Sequence, residues 1–267
     1  MAYEVKDFQH EQDSKMAGEI FNSTVAQAAL NKLQELNFER VYTYLYATSC
    51  PQLTEKTSPT LYRNLRRACE MFGLDKVPKV FVTRNYREMV SVIGVNDPFI
   101  IFSSEYLRKL DEETLFGILA GQVAAIRCEH HRIVYIAWAL QFALSYLPAG
   151  SIAAGTLIND WKRSRYFTYD RAFALATGNL ALSLRQILIN VVPQHILDKM
   201  ELGTESDAFA EQVDFFINGM SNVQTGLRKA VQMFSDKDWL PRRYKEINEF
   251  FKERSGHHVA GLRASQR

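Results

Sequence analysis

The chain is 267 residues long, 47% hydrophobic and 23% charged, with a formal net charge of +2. That length buries a sizeable core as one large domain or two small ones, and the composition excludes a disordered chain. The near-neutral charge excludes a chain-wide field for nucleic acid or anionic membrane.

Three cysteines, Cys50, Cys69 and Cys128, form no Cys-x-x-Cys pair, a usage that fits a reducing compartment better than a disulfide scaffold. The first residues, Met1-Ala2-Tyr3-Glu4-Val5-Lys6-Asp7, are charged at once, unlike a secretory signal. The expected location is the cytoplasm.

Residues 1–76 read as an N-terminal helical region. Ser23-Thr24 can cap a segment with Val25, Ala28, Ala29, Leu33 and Leu36 on one side. Ser58-Pro59 can start another, with Leu61, Leu65, Ala68, Cys69 and Phe72 at helical spacing and Gly73 ending it. Cys50-Pro51 and Glu55-Lys56-Thr57 fall in the connection. From 78 to 102 the pattern changes to short Val, Ile and Phe runs broken by Asn85, Gly94 and Asn96-Asp97-Pro98. These predict a small sheet of about three strands. Mostly helical patterns follow, so the fold class is α+β with helix dominating. The division expected is 1–76, a second domain over 77–255, and a flexible tail over 256–267.

Residues 133–158 carry no charge and exceed the ~20 residues needed to span a bilayer. Gln141, Ser145 and the Leu147-Pro148-Ala149-Gly150 break divide them into two shorter pieces. Two readings stand: a buried helical hairpin, or membrane insertion or docking. From Arg228 onward, ten Lys and Arg against five Asp and Glu leave +5. This region is either a solvated helical face or a contact for an acidic partner or anionic lipid.

The stretch Glu112-Glu113-Thr114-Leu115-Phe116-Gly117-Ile118-Leu119-Ala120-Gly121-Gln122-Val123-Ala124-Ala125-Ile126 resembles the active-site helix of a zinc peptidase. Around it stand Val77-Pro78-Lys79-Val80-Phe81-Val82-Thr83, Met89-Val90-Ser91-Val92-Ile93-Gly94, Pro98-Phe99-Ile100-Ile101-Phe102-Ser103-Ser104 and, later, Trp161-Lys162-Arg163-Ser164-Arg165-Tyr166-Phe167-Thr168-Tyr169-Asp170-Arg171-Ala172. This order, from Pro78 to Ala172, is similar to the HtpX-like gluzincins, zinc metallopeptidases that also include CAAX prenyl proteases. A weak echo of their His-Pro follows at Trp239-Leu240-Pro241.

The resemblance implies a gluzincin-like domain, zinc as cofactor, and a His-Glu-x-x-His helix with a third Glu ligand four residues before an Asp. Here those positions are Gly121, Gln122, Ala125 and Tyr166, with Asp170 as the Asp. Glycine and alanine have no lone pair for a metal, and glutamine cannot take a proton from water at neutral pH. A neutral phenol is a poor zinc ligand. The expectation is therefore no catalytic residue, no metal site, and Asp170 as a remnant that pairs with Arg171 or caps a helix. Cys128-Glu129-His130-His131 offers other ligand types. On a continuous helix, however, His130 falls about 180° from Gly121, which implies a capping or surface role.

Gly117, Gly121 and Ala125 recur at i, i+4 and i+8, a stripe almost without side chains. The helix carrying Tyr166 is expected to pack there, with the Tyr ring in the former zinc volume and Gln122 hydrogen-bonding nearby. A sharper expectation is a surviving peptide groove formed by Gly117, Gly121, Gln122, Ala125 and Tyr166.

The leading functional reading is a catalytically inactive metallopeptidase-like protein acting as a protein-binding, scaffolding or regulatory module, with a protein partner or larger assembly. The alternatives are a zinc-dependent metalloendopeptidase with non-standard ligands, and a membrane-associated scaffold anchored through 133–158.

Overall fold

The computed structural model describes residues 2–84, 89–144, 151–189, 191–202, 211–214 and 240–264. Four N-terminal helices come first: α1 (Val5–Phe8), α2 (Glu11–Phe21), α3 (Thr24–Glu35) and α4 (Phe38–Ser49). The Ser23 hydroxyl accepts from the Ala26 amide at the start of α3, as its sequence position predicts. Asn37, left-handed at φ 50°, turns the chain from α3 into α4. A two-residue strand, β1 (Gln52–Leu53), lies in what the sequence reads as plain connection. Then α5 (Pro59–Phe72) begins on Pro and ends at Gly73 with φ 66°, both as expected.

Strands β2 (Val80–Thr83), β3 (Val90–Ile93) and β4 (Phe99–Ser103) match the three predicted runs, and β1 makes the sheet four-stranded. The order is β1-β2-β4-β3, with β2 and β4 parallel and both outer pairings antiparallel. The break at Asn85 lies outside the described residues.

Side chains alternate across the sheet, as a period of two requires. Val80, Val92, Ile100 and Phe102 join a core with α5 and α7 (Glu112–Arg127). Phe81, Ile93, Phe99 and Ile101 join a second core with α2, α3 and α8 (His130–Leu144). The sheet is thus covered on both faces, which is why all five residues of β4 are buried. The short α6 (Ser104–Leu107) bridges β4 and α7.

Every residue of α7 from Thr114 to Ile126 is buried, the expected outcome for a helix apolar on all sides. The Asp111 carboxylate caps it, accepting from the Thr114 amide at 2.7 Å. Beyond α8 come α9 (Ser151–Thr177), α10 (Leu180–Leu188), α11 (Gln194–Leu197) and α12 (Leu240–Ala264). The core around α7 includes Phe8, Leu61, Leu65 and Phe72, so it is continuous across the boundary expected at residue 76. Helical backbone runs on to Ala264, through most of the segment expected to be a flexible tail.

The uncharged run is helical up to Leu144 and again from Ser151; the break at 147–150 lies outside the described residues. Among the described residues, no helix is long and apolar enough to cross a membrane.

Candidate functional site

The site expected from the sequence lies where α7 meets α9, its most extensive packing partner. A Cβ built on Gly117 would stand 2.4 Å from the Phe173 ring, and one on Gly121 would stand 3.4 Å from the Tyr169 carbonyl oxygen and 3.5 Å from its ring. Residues four apart on α7 therefore meet residues four apart on α9 in reverse order. The helices run antiparallel, and the missing side chains let them approach closely. One turn further along α7 is Ala125, fully buried. The matching turn of α9 carries Arg165 and Tyr166.

The mapped positions thus fall on two helices in contact, but the occupant differs from the expectation. Tyr169, not Tyr166, covers Gly121, and Phe173 covers Gly117. The stripe is filled by the chain's own helix, so the Gly117–Gly121 part of the expected groove is not open. Gln122 is 6% exposed, and its Oε1 accepts no hydrogen bond among the described residues. The half-buried Tyr166 ring lies 5.8 Å from that of Tyr169, and the Arg243 guanidinium sits 4.7 Å from its centroid.

Asp170 pairs with neither Arg171 nor a helix end. Arg243 of α12 donates from Nε to Oδ2 and from Nη2 to Oδ1, both at 2.8 Å. Gln186 Nε2 of α10 donates to Oδ1 at 2.6 Å. All three side chains are buried. The correction has a physical cause: a buried carboxylate needs a buried cation, and Arg171 instead reaches the Phe250 ring at 5.2 Å. Spacing along α9 cannot reveal a partner 73 residues away.

His130 also departs from the expectation of a surface or capping role. Helix α7 stops at Arg127, and Glu129 turns left-handed at φ 57°, so the chain is redirected before α8 begins. His130 is 1% exposed, and its Nε2 lies 2.8 Å from Asp13 Oδ2 on α2. Thr168 donates to the same oxygen at 2.6 Å, and Trp161 Nε1 donates to Oδ1 at 3.1 Å. The imidazole meets the rings of Trp161 and Tyr169 edge-on at 5.6 and 5.7 Å.

Burial pushes the Asp13 carboxyl up. The His130 ring, together with hydrogen bonds from His130, Thr168 and Gln9, outweighs burial and holds the group below its ordinary value. This buried network was missed because no motif carries it. One signal was legible: Asp13 shares a helical face with Met16, Ala17 and Ile20, an acid on an otherwise apolar stripe.

These residues do not fit zinc. Gly121 and Ala125 offer no donor atom, Tyr166 and Asp170 face the Arg243 cation, and Cys128 is held protonated by burial and by the Asp13 charge. Among the described residues, no three His, Cys, Asp or Glu side chains are grouped as metal ligands would be. No family model, curated protein or solved structure matches the chain.

Proposed function

We propose that this protein is a catalytically inactive, metallopeptidase-like module that works by binding another protein rather than by cutting one. The observation that carries the reading is the antiparallel contact of α7 with α9. It joins the two segments that resemble the ligand-bearing helices of a gluzincin, and Gly121, which that resemblance maps to a ligand, lies under Tyr169. Arg243 supports it further. Its guanidinium is stacked on Tyr166, the residue that the resemblance maps to the third ligand, and is paired with Asp170, so positive charge stands beside that residue.

The test is metal analysis and peptide cleavage on protein purified without added metal. The expected result is zinc well below stoichiometric, with no chelator-sensitive cleavage of a peptide library. Stoichiometric zinc with such cleavage would overturn the reading. Affinity purification from native cells then identifies the partner.

A further inference from the structure

The Glu39 carboxylate of α4 is held as a protein holds a free anion. Its Oε1 accepts from three successive backbone amides of the β3–β4 turn, Val95 at 2.5 Å, Asn96 at 2.7 Å and Asp97 at 3.1 Å. Its Oε2 accepts from Asn96 Nδ2 at 3.0 Å. Successive amides that converge on one point form a nest, a concavity whose partial positive charge attracts anions. Gly94 sets its shape, because at φ 122° a Cβ there would meet the Pro98 Cα at 2.8 Å. The neighbouring acid, Asp97, is turned to Lys76 at 2.6 Å and Lys79 at 3.4 Å. The Lys76 ammonium, with Lys79 behind it, holds that carboxyl below its ordinary value. Its charge is therefore matched and does not oppose an anion in the nest.

The occupant is carried on a lightly seated helix. Among the described side chains of α4 none is buried: Glu39, Thr43 and Tyr46 are half-buried, and Val41, Tyr44 and Leu45 are more than half exposed. The helix packs most extensively on α3, which is anchored in the core by Ala26 and Leu30. Besides the Glu39 bonds, Tyr46 ties it to the sheet, with its ring 5.5 Å from that of Phe99. A cavity of about 280 Å³ adjoins the Glu39 carboxylate. It lies between Leu33 and Asn37 at the α3–α4 corner, Tyr135 of α8, and Val95 and Asn96 of the nest. That space has room for several waters or one small organic acid. The nest is thus approached from a volume the chain does not fill.

We infer that the β3–β4 turn is a carboxylate-binding site with Glu39 as its exchangeable occupant, so that a carboxylate from outside the chain takes the nest and releases α4. The ligand class follows from the donors. Four N–H groups meet the occupant, and Asn96 serves both of its oxygens, one from the backbone and one from the side chain. That arrangement fits a flat group with two acceptor oxygens. Exchange is nearly balanced, because the bonds that Glu39 gives up are remade by the incoming acid. What decides the outcome is concentration, since a tethered group competes at an effective concentration of millimolar order. A bare carboxylate therefore binds weakly. One displayed on a polypeptide that also fills the place of α4 binds more tightly. This inference is independent of the reading of α7 and α9.

Amide NMR on the full chain tests it, with sodium acetate as the small acid and a synthetic peptide of residues 37–50 as the displayed one. Sodium chloride at equal ionic strength is the control. In Glu39→Ala, whose nest has lost its occupant, the Val95, Asn96 and Asp97 amides are expected to shift saturably with acetate. The wild type should bind acetate about tenfold more weakly, because Glu39 competes. The same shifts are expected in Glu39→Gln, a milder change, so an unstable Glu39→Ala leaves the test intact. Tighter binding of the peptide than of acetate, lost when the peptide carries Glu39→Ala, assigns the ligand to a polypeptide; equal binding assigns it to a small organic acid. Hydrogen exchange reads the release: Glu39→Gln should speed exchange in α4 about tenfold and leave α7 and α9 unchanged. Three results would overturn the inference. One is a nest in both variants that takes no acetate up to ~100 mM. Another is a wild type that binds acetate as tightly as the variants. The third is exchange in α4 indifferent to Glu39→Gln.

Discussion

The Phe173 ring lies so close over Gly117 that a methyl group on that glycine would meet three ring carbons at 2.4 to 2.8 Å. At Gly121, one turn on, the same methyl group would meet Tyr169 at 3.4 to 3.6 Å, ordinary contact. Gly→Ala in a helix interior gains roughly 1 kcal/mol, whereas overpacking a core costs about 1–3 kcal/mol. We therefore expect Gly117→Ala to destabilise the protein and Gly121→Ala to be neutral or mildly stabilising. Urea unfolding of the two variants checks this. Adding Phe173→Leu to Gly117→Ala should recover part of the loss.

Asp170 and Arg243 form a buried, two-pronged ion pair that ties α12 to α9. Removing one member strands the other charge in the interior, at a cost of about 3–5 kcal/mol. Asp170→Asn and Arg243→Met should each lower stability by about that much. The double variant should lose clearly less than their sum, and a double-mutant cycle in urea measures the difference.

Burial holds His131 well below its ordinary value, at about 4, although a bond to the Val95 backbone opposes the shift. The unfolded chain therefore takes up a proton near pH 6.5 that the folded chain refuses until about pH 4. Stability is full above that window and falls as the pH drops through it, by on the order of 3 kcal/mol. Unfolding free energies between about pH 7 and pH 4.5 should follow that slope in the wild type and flatten in His131→Gln.

The three thiols should react in two classes. Cys50 is half-buried, while Cys69 and Cys128 are buried. Burial pushes the Cys69 thiol up to about 12 and Cys128 up as well. We expect a disulfide reagent to titrate about one thiol quickly in native protein, and the other two only as the chain unfolds. Three fast thiols would contradict this burial.

Much of the secondary structure is legible in the sequence. Ser23 caps α3, Pro59 opens α5 and Gly73 closes it, because these effects act within a few residues. The strands at 80–83, 90–93 and 99–103 were legible as β-branched and aromatic runs. The two-residue β1 was not, since so short a strand carries no periodicity and exists only by pairing with β2. The candidate site was half legible. Its small residues announced a close helix contact, but not that Tyr169 and Phe173 would fill it. The place of His130 is not legible in the sequence, because it depends on the left-handed turn of the backbone at Glu129.

By itself, then, the sequence determined where α3 and α5 begin, where α5 ends, and that β2, β3 and β4 form. Capping, steric preference and apolar periodicity are local properties and need no knowledge of the rest of the chain. Only the tertiary structure decided that Asp13 meets His130, that Asp170 meets Arg243, and that Glu39 reaches the β3–β4 turn with the apolar side of α4 facing outward. A buried charge takes the partner that packing brings to it, and packing joins residues that spacing along the chain does not relate.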